Sequence, residues 1–147
     1  METQTQQWIA RAMTRINTQI EKVWDALINP DTIKQYMFGA DVVSDWKEGS
    51  QIVWRGEWEG KPFEDHGMIT KMVPGKILEY KHYSESSGLP EKEENYHTVT
   101  IELKNEDPGV LVTLIQDNNG SSEEKEKSEK NWTMMLESMK RLLEKQN

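Results

Sequence analysis

The chain has 147 residues, the usual size of one domain, and carries 18 Lys and Arg against 26 Asp and Glu, a formal charge of −8. It contains no cysteine, which excludes a thiol nucleophile, a disulfide staple, a Cys-bound zinc and an iron–sulfur cluster. Basic residues are interleaved with acids, as in Glu123-Glu124-Lys125-Glu126-Lys127, so nucleic acid is not an expected partner, and no run of about 18 apolar residues offers a membrane span.

Met1–Gln7 is polar and lacks the apolar stretch of a secretory leader, so the expected location is cytoplasmic. Residues 8–16 alternate, with Trp8, Ala10, Ala12 and Thr14 on one face, and read as a strand. Thr18-Gln19-Ile20-Glu21 matches a capping box, and Ile20, Val23, Trp24, Leu27 and Ile28 continue it as an amphipathic helix. Asn29 and Pro30 start a second short helix that Gly39 is expected to stop. From 40 to 117 the pattern is strands and turns: Asp41–Ser44, Gln51–Trp58, Phe63–Met72, Ile77–Tyr83, Tyr96–Lys104 and Val110–Gln116. Short links, including Glu59-Gly60-Lys61-Pro62 and Pro74-Gly75, make this an antiparallel meander. A polar loop, Ser86–Pro90 and on to Asn95, interrupts it.

Ser121 and Glu124 form a second capping box, and Trp132, Met135, Leu136, Met139, Leu142 and Leu143 mark a helix running to about Lys145. Its first two turns, Glu123 to Lys130, carry no apolar residue and are expected over solvent or a cavity mouth. No repeat, linker or second domain is visible, so residues 1–147 read as one α+β domain with about six or seven strands. Only 35% of residues are apolar, yet six Trp and eight Met supply bulk suited to an adaptable cavity.

Several of these segments carry a family resemblance. They are Ile20-Glu21-Lys22-Val23-Trp24-Asp25-Ala26-Leu27 followed by Asn29-Pro30-Asp31, the Gly67-x-Ile69 strand, Pro74-Gly75-Lys76-Ile77-Leu78-x-Tyr80, and the tail Trp132-x-x-Met135-Leu136-x-x-Met139-Lys140-x-x-Leu143-Glu144. With the element order, they resemble the START-like (helix-grip, SRPBCC) superfamily, in the branch similar to the C-terminal domain of the activator of heat-shock protein 90 ATPase. Where that family often has a double glycine after the short second strand, this chain reads Glu48-Gly49-Ser50. The resemblance implies a curved antiparallel sheet wrapped on a long C-terminal helix, with a cavity between them. It implies three functions. The first is binding of a lipid- or polyketide-like ligand, the second a cyclase- or dehydratase-like activity, and the third a chaperone partner. Chaperone activators carry an additional N-terminal domain for which 147 residues leave no room, so that reading ranks third. Fold alone does not choose among them.

The residues themselves offer polar and apolar candidates. His82 shares a face with Leu78 and Tyr80, and His97 with Val99, Ile101 and Leu103, so both face inward as candidate acid–base or ligand contacts. The plainer alternative is a hydrogen-bonded histidine near a sheet edge. His66 has no clear phase. Gln116 shares phase with Val110, Val112 and Leu114 and could meet a ligand carbonyl or hydroxyl, or simply reach solvent. Trp54, Trp58, Tyr80, Trp132, Met135 and Met139 are candidate cavity walls, with ordinary core packing as the alternative. Glu64, Asp65 and the loop acids Glu91, Glu93 and Glu94 are discounted as catalytic carboxylate pairs, the loop acids being polar-flanked and exposed, and Arg55 with Glu57 reads as an exposed pair. No cofactor or metal is expected: there is no Gly-rich nucleotide loop, no His-x-x-x-His and no nucleophile elbow.

Overall fold

Alternation at the start of the chain produces β1 (Trp8–Ile16), which turns Ala10, Ala12, Thr14 and Ile16 inward. The computed structural model describes residues 8–58, 60–84 and 90–145. The expectations for Met1–Gln7, Glu59 and Ser86–Leu89 lie outside the described residues, as do the side chains of Trp58 and Glu93.

Two short helices follow. In α1 (Ile20–Ile28), Val23, Ala26 and Leu27 are buried. The N-cap differs from the Thr18 expected: it is Gln19, whose side chain makes no capping bond. The helix starts one residue too late for Thr18 to be its N-cap, because the Thr18 N–H is bonded to the Ile16 carbonyl at 2.9 Å in a tight exit from β1. The next helix, α2 (Pro30–Tyr36), starts as its sequence predicts. Asn29 Oδ1 accepts from the Asp31 N–H at 3.0 Å and Pro30 occupies the first turn. Its end differs from expectation. Phe38, not Gly39, is the first left-handed residue, at φ 57°, and the Gly39 N–H returns to the Lys34 carbonyl at 2.9 Å.

The remaining strands are β2 (Asp41–Ser44), β3 (Gln51–Trp58), β4 (Lys61–Val73), β5 (Ile77–Ser84), β6 (His97–Glu106) and β7 (Gly109–Asn119). All seven form one antiparallel sheet in the order β1-β7-β6-β5-β4-β3-β2. The turn before β3 manages without a double glycine: Gly49 takes φ 88° and the Ser50 hydroxyl donates to the Lys47 carbonyl at 2.7 Å.

The last element, α3 (Ser122–Lys145), crosses the inner face of the sheet and buries Met135, Leu136, Met139 and Leu143. Its predicted cap is present: Ser121 Oγ accepts from the Glu124 N–H at 3.1 Å, and Glu124 Oε2 accepts from the Gly120 N–H at 2.8 Å. The same helix closes the outer edge of β1. Glu129 accepts from the Arg11 N–H at 3.0 Å, Lys140 donates to the Arg15 carbonyl at 2.7 Å, and Glu144 accepts from the Asn17 N–H at 2.9 Å. These backbone groups would otherwise be an open pairing edge. Inward residues of all three helices and of the sheet share one core, centred on fully buried Ile16, Ile52, Ile69, Leu114 and Leu136.

Candidate functional site

A cavity lies where the inner faces of β3, β4 and β5 diverge from α3, with the end of α2 over its mouth. It has two adjoining chambers. The smaller, about 230 Å³, is walled by Trp54, Phe63, Tyr80, Trp132 and Phe38, with Asp65 and His82 as its inward polar groups. The larger, about 610 Å³, is bounded by Phe63, Trp132, Met134, Met135 and Gln116, with Lys61 at its border. Met37, Phe38, Phe63, Asp65 and Trp132 belong to both. Only the larger falls within the range of about 300–1,000 Å³ usual for small-molecule pockets.

Register explains how the polar groups meet. Trp54 on β3 pairs with Asp65 on β4, and Gly67 on β4 pairs with His82 on β5, which places all three inward side chains around one point. His82 Nε2 lies 2.9 Å from Asp65 Oδ2 and donates to it. The Trp54 and His82 rings meet in a T-shaped arrangement with centroids 5.0 Å apart, and Tyr80 packs against Trp54 in a tilted one at 5.1 Å. The second oxygen, Asp65 Oδ1, is buried and has no hydrogen-bond partner among the described residues. Leaving a buried carboxylate oxygen unpaired costs about 1–3 kcal/mol or more. Tyr80 itself is buried, and burial pushes its phenol well above the ordinary range, so it stays a neutral hydroxyl.

Of the residues singled out from the sequence, Trp54, Tyr80, His82 and Trp132 line the smaller chamber, and Gln116, Trp132 and Met135 line the larger. Gln116 Oε1 accepts the Trp132 indole N–H, which fixes the wall the chambers share. Met139 is fully buried and lines neither chamber. His97 pairs with His82 across β5 and β6, with rings 6.4 Å apart, but its Nδ1 donates to the Asp117 carbonyl at 3.0 Å and it also lines neither chamber. The sequence discounts Asp65 together with Glu64 as a carboxylate pair, and the structure separates them. Glu64 is exposed and pairs with Arg55 at 3.1 Å, whereas Asp65 faces the cavity. The signal for Asp65 is its phase, which it shares with Phe63, Gly67 and Ile69.

His66 lies on the opposite face of the sheet. Its Nε2 is 2.6 Å from Glu91 Oε2, and the same oxygen accepts from the Tyr96 hydroxyl at 2.5 Å. The two donors hold the Glu91 carboxyl below its usual range, the Tyr96 bond contributing more. In return, the Tyr96 phenol is pushed up to about 12, chiefly by that bond. Among the described residues no cluster of three or more His, Asp or Glu could hold a metal ion, and no helix is long and apolar enough to cross a membrane.

A seven-stranded antiparallel sheet around one long C-terminal helix, with two short helices after the first strand, is the helix-grip fold. The chain belongs to the family described as Activator of Hsp90 ATPase homolog 1-like protein, whose family model matches residues 17–144. Among solved structures it is similar to ChR145 from Cytophaga hutchinsonii, with 53% identity over 99% of this chain and 98% of that one and a TM-score of 0.83. It shares its fold with DynU16, from the dynemicin biosynthetic locus, at 15% identity over 93% of this chain and 47% of that one, TM-score 0.78. It also shares its fold with the Aha1 dimer of Colwellia psychrerythraea, at 19% identity over 92% and 96%, TM-score 0.73. No curated protein matches.

Proposed function

We propose that the protein binds a small apolar or aromatic ligand, lipid- or polyketide-like in character, in the cavity between the sheet and α3. The observation that carries this reading is the pair of adjoining chambers, about 230 and 610 Å³, walled by aromatic and Met side chains around a few inward polar groups. Trp54, Tyr80, Trp132 and Met135 form the walls, and His82 and Gln116 supply polar contacts. The kinship of fold with a protein of the dynemicin biosynthetic locus is compatible with such a ligand.

A thermal-shift screen against fatty acids, sterols, flavonoid-like aromatics and polyketide fragments tests it. A ligand at 100 times its Kd stabilises by about 2.7 kcal/mol, which raises Tm by roughly 5–10 °C for a domain of this size. Tyr80→Ala and Trp132→Ala should each weaken the ligand so found. Unchanged affinity in both would refute this placement.

One observation favours a second reading. The His82–Asp65 hydrogen bond fixes the tautomer and orientation of an imidazole facing an aromatic chamber, as acid–base catalysis requires. Cyclase- or dehydratase-like turnover of a bound ligand would then show a pH–rate inflection that disappears in His82→Ala. A chaperone partner, the reading the family description suggests, is tested by pull-down with a purified chaperone ATPase and by its ATPase rate.

A further inference from the structure

We infer that the smaller chamber receives the ammonium group of an amine, with the apolar remainder of the ligand in the larger chamber. The inference rests on the ligand-binding reading and narrows its chemistry. Five aromatic side chains, Phe38, Trp54, Phe63, Tyr80 and Trp132, line a space of about 230 Å³. The face of an aromatic ring is its negative pole, so such a box attracts a cation in proportion to how far water is excluded. Beside the rings stands Asp65, with one oxygen engaged by His82 and the other buried without a partner among the described residues. A carboxylate is an acceptor only, and the group it lacks is a donor, best of all a charged one.

Among the described residues, no Lys or Arg lines this chamber as a competing permanent cation, and Glu57, also at its border, is a further acid. The Asp65 carboxylate brings a negative charge to the chamber wall. An anionic ligand head would meet both that charge and the negative faces of the rings. Lys61 borders the larger chamber instead. The size division follows the same logic. The smaller chamber is below the range of about 300–1,000 Å³ that holds whole drug-sized ligands, but suits a compact head group whose body extends past Phe63 and Trp132 into the larger one. The formal charge of −8 adds a long-range field that favours arrival of a cation.

Three probes with one ring and a two-carbon linker test the charge preference directly: phenethylamine, 2-phenylethanol and 3-phenylpropionate, titrated at neutral pH by calorimetry and by tryptophan fluorescence. Phenethylamine should bind at least about tenfold tighter than the alcohol, and the carboxylate weakest. Asp65→Asn, with its Tm and circular dichroism checked, should bring the amine down to the affinity of the alcohol. If that variant does not fold, the ranking of the three probes on the unaltered protein decides alone. An alcohol or carboxylate that binds as tightly as the amine overturns the inference and leaves the ligand-binding reading standing. So does the absence of binding by all three while the wider screen yields a ligand. If none binds and the screen is flat, both fall.

Discussion

His66, Glu91 and Tyr96 show how little separates a functional cluster from a structural one at the scale of single residues. They have the hydrogen-bonded geometry of a catalytic set, but they lie on the convex face, away from the chambers. Their effect is best read as a clasp that fastens the segment before β6 to β4. The raised Tyr96 phenol gives its sign. The folded state holds the proton more firmly than the unfolded chain, whose phenol titrates near 10, so the contribution is intact below that pH and is lost as the pH climbs towards about 12. Glu91 works in the opposite direction. Its depressed carboxyl contributes above the ordinary carboxylate range and loses that contribution as the pH falls through its folded value. Carbon-13 tyrosine NMR should find Tyr96 titrating near 12, and Glu91→Gln should return it towards 10; a Tyr96 resonance already moving at 10 in the unaltered protein would contradict the assignment. The inward phase of His82 is legible in the sequence because period-2 alternation is local. Its bond to Asp65 is not, because it depends on the β4–β5 register, set by an entire hairpin.

At the scale of elements, caps and close approaches decide which sequence signals are realised. Ser121 and Glu124 cap α3 as their spacing implies, whereas at α1, where Thr18 and Glu21 have the same spacing, the N-cap is Gln19. The difference lies in the turn before the helix: the exit from β1 uses the Thr18 N–H before the helix begins. Gly67 illustrates a constraint that composition conceals. A β-carbon placed there would lie 1.7 Å from the Lys81 carbonyl oxygen, so β4 and β5 reach their pairing distance only because that position is bare. The Gly67-x-Ile69 motif is thus a packing requirement of the very hairpin that brings Asp65 to His82. Gly67→Ala should cost about 3 kcal/mol in urea unfolding and weaken any cavity ligand along with stability. A loss below about 0.5 kcal/mol would show that the hairpin yields easily.

For the molecule as a whole, the sheet has two free edges and protects both. β2 is only four residues long. β1 is longer, and on its outer side Glu129 takes the Arg11 N–H and Lys140 the Arg15 carbonyl, while Glu144 takes the Asn17 N–H just beyond it. Short or covered edges are what keep open sheets from pairing with one another. The double substitution Glu129→Ala with Glu144→Ala should leave the core intact but expose that edge, giving concentration-dependent association by sedimentation velocity. Sedimentation identical to that of the parent would show that the remaining contacts suffice. The architecture is legible because element order and amphipathic spacing repeat along the chain. The edge closure is not, because Glu129 and Glu144 look like any solvated helix acids until β1 is laid beside them.

That closure also ties the first strand to the last helix in time. β1 pairs with β7, from Trp8–Asn119 to Ile16–Val110, and is then sealed by a helix made later still. At a synthesis rate of about 5–20 residues per second, the first strand waits roughly 5–20 s on the ribosome for its partner. During that interval its alternating apolar face has no native place to go. The meander from β2 to β6 can assemble progressively as it emerges, but the grip, and with it the aromatic chamber, is completed only when α3 arrives.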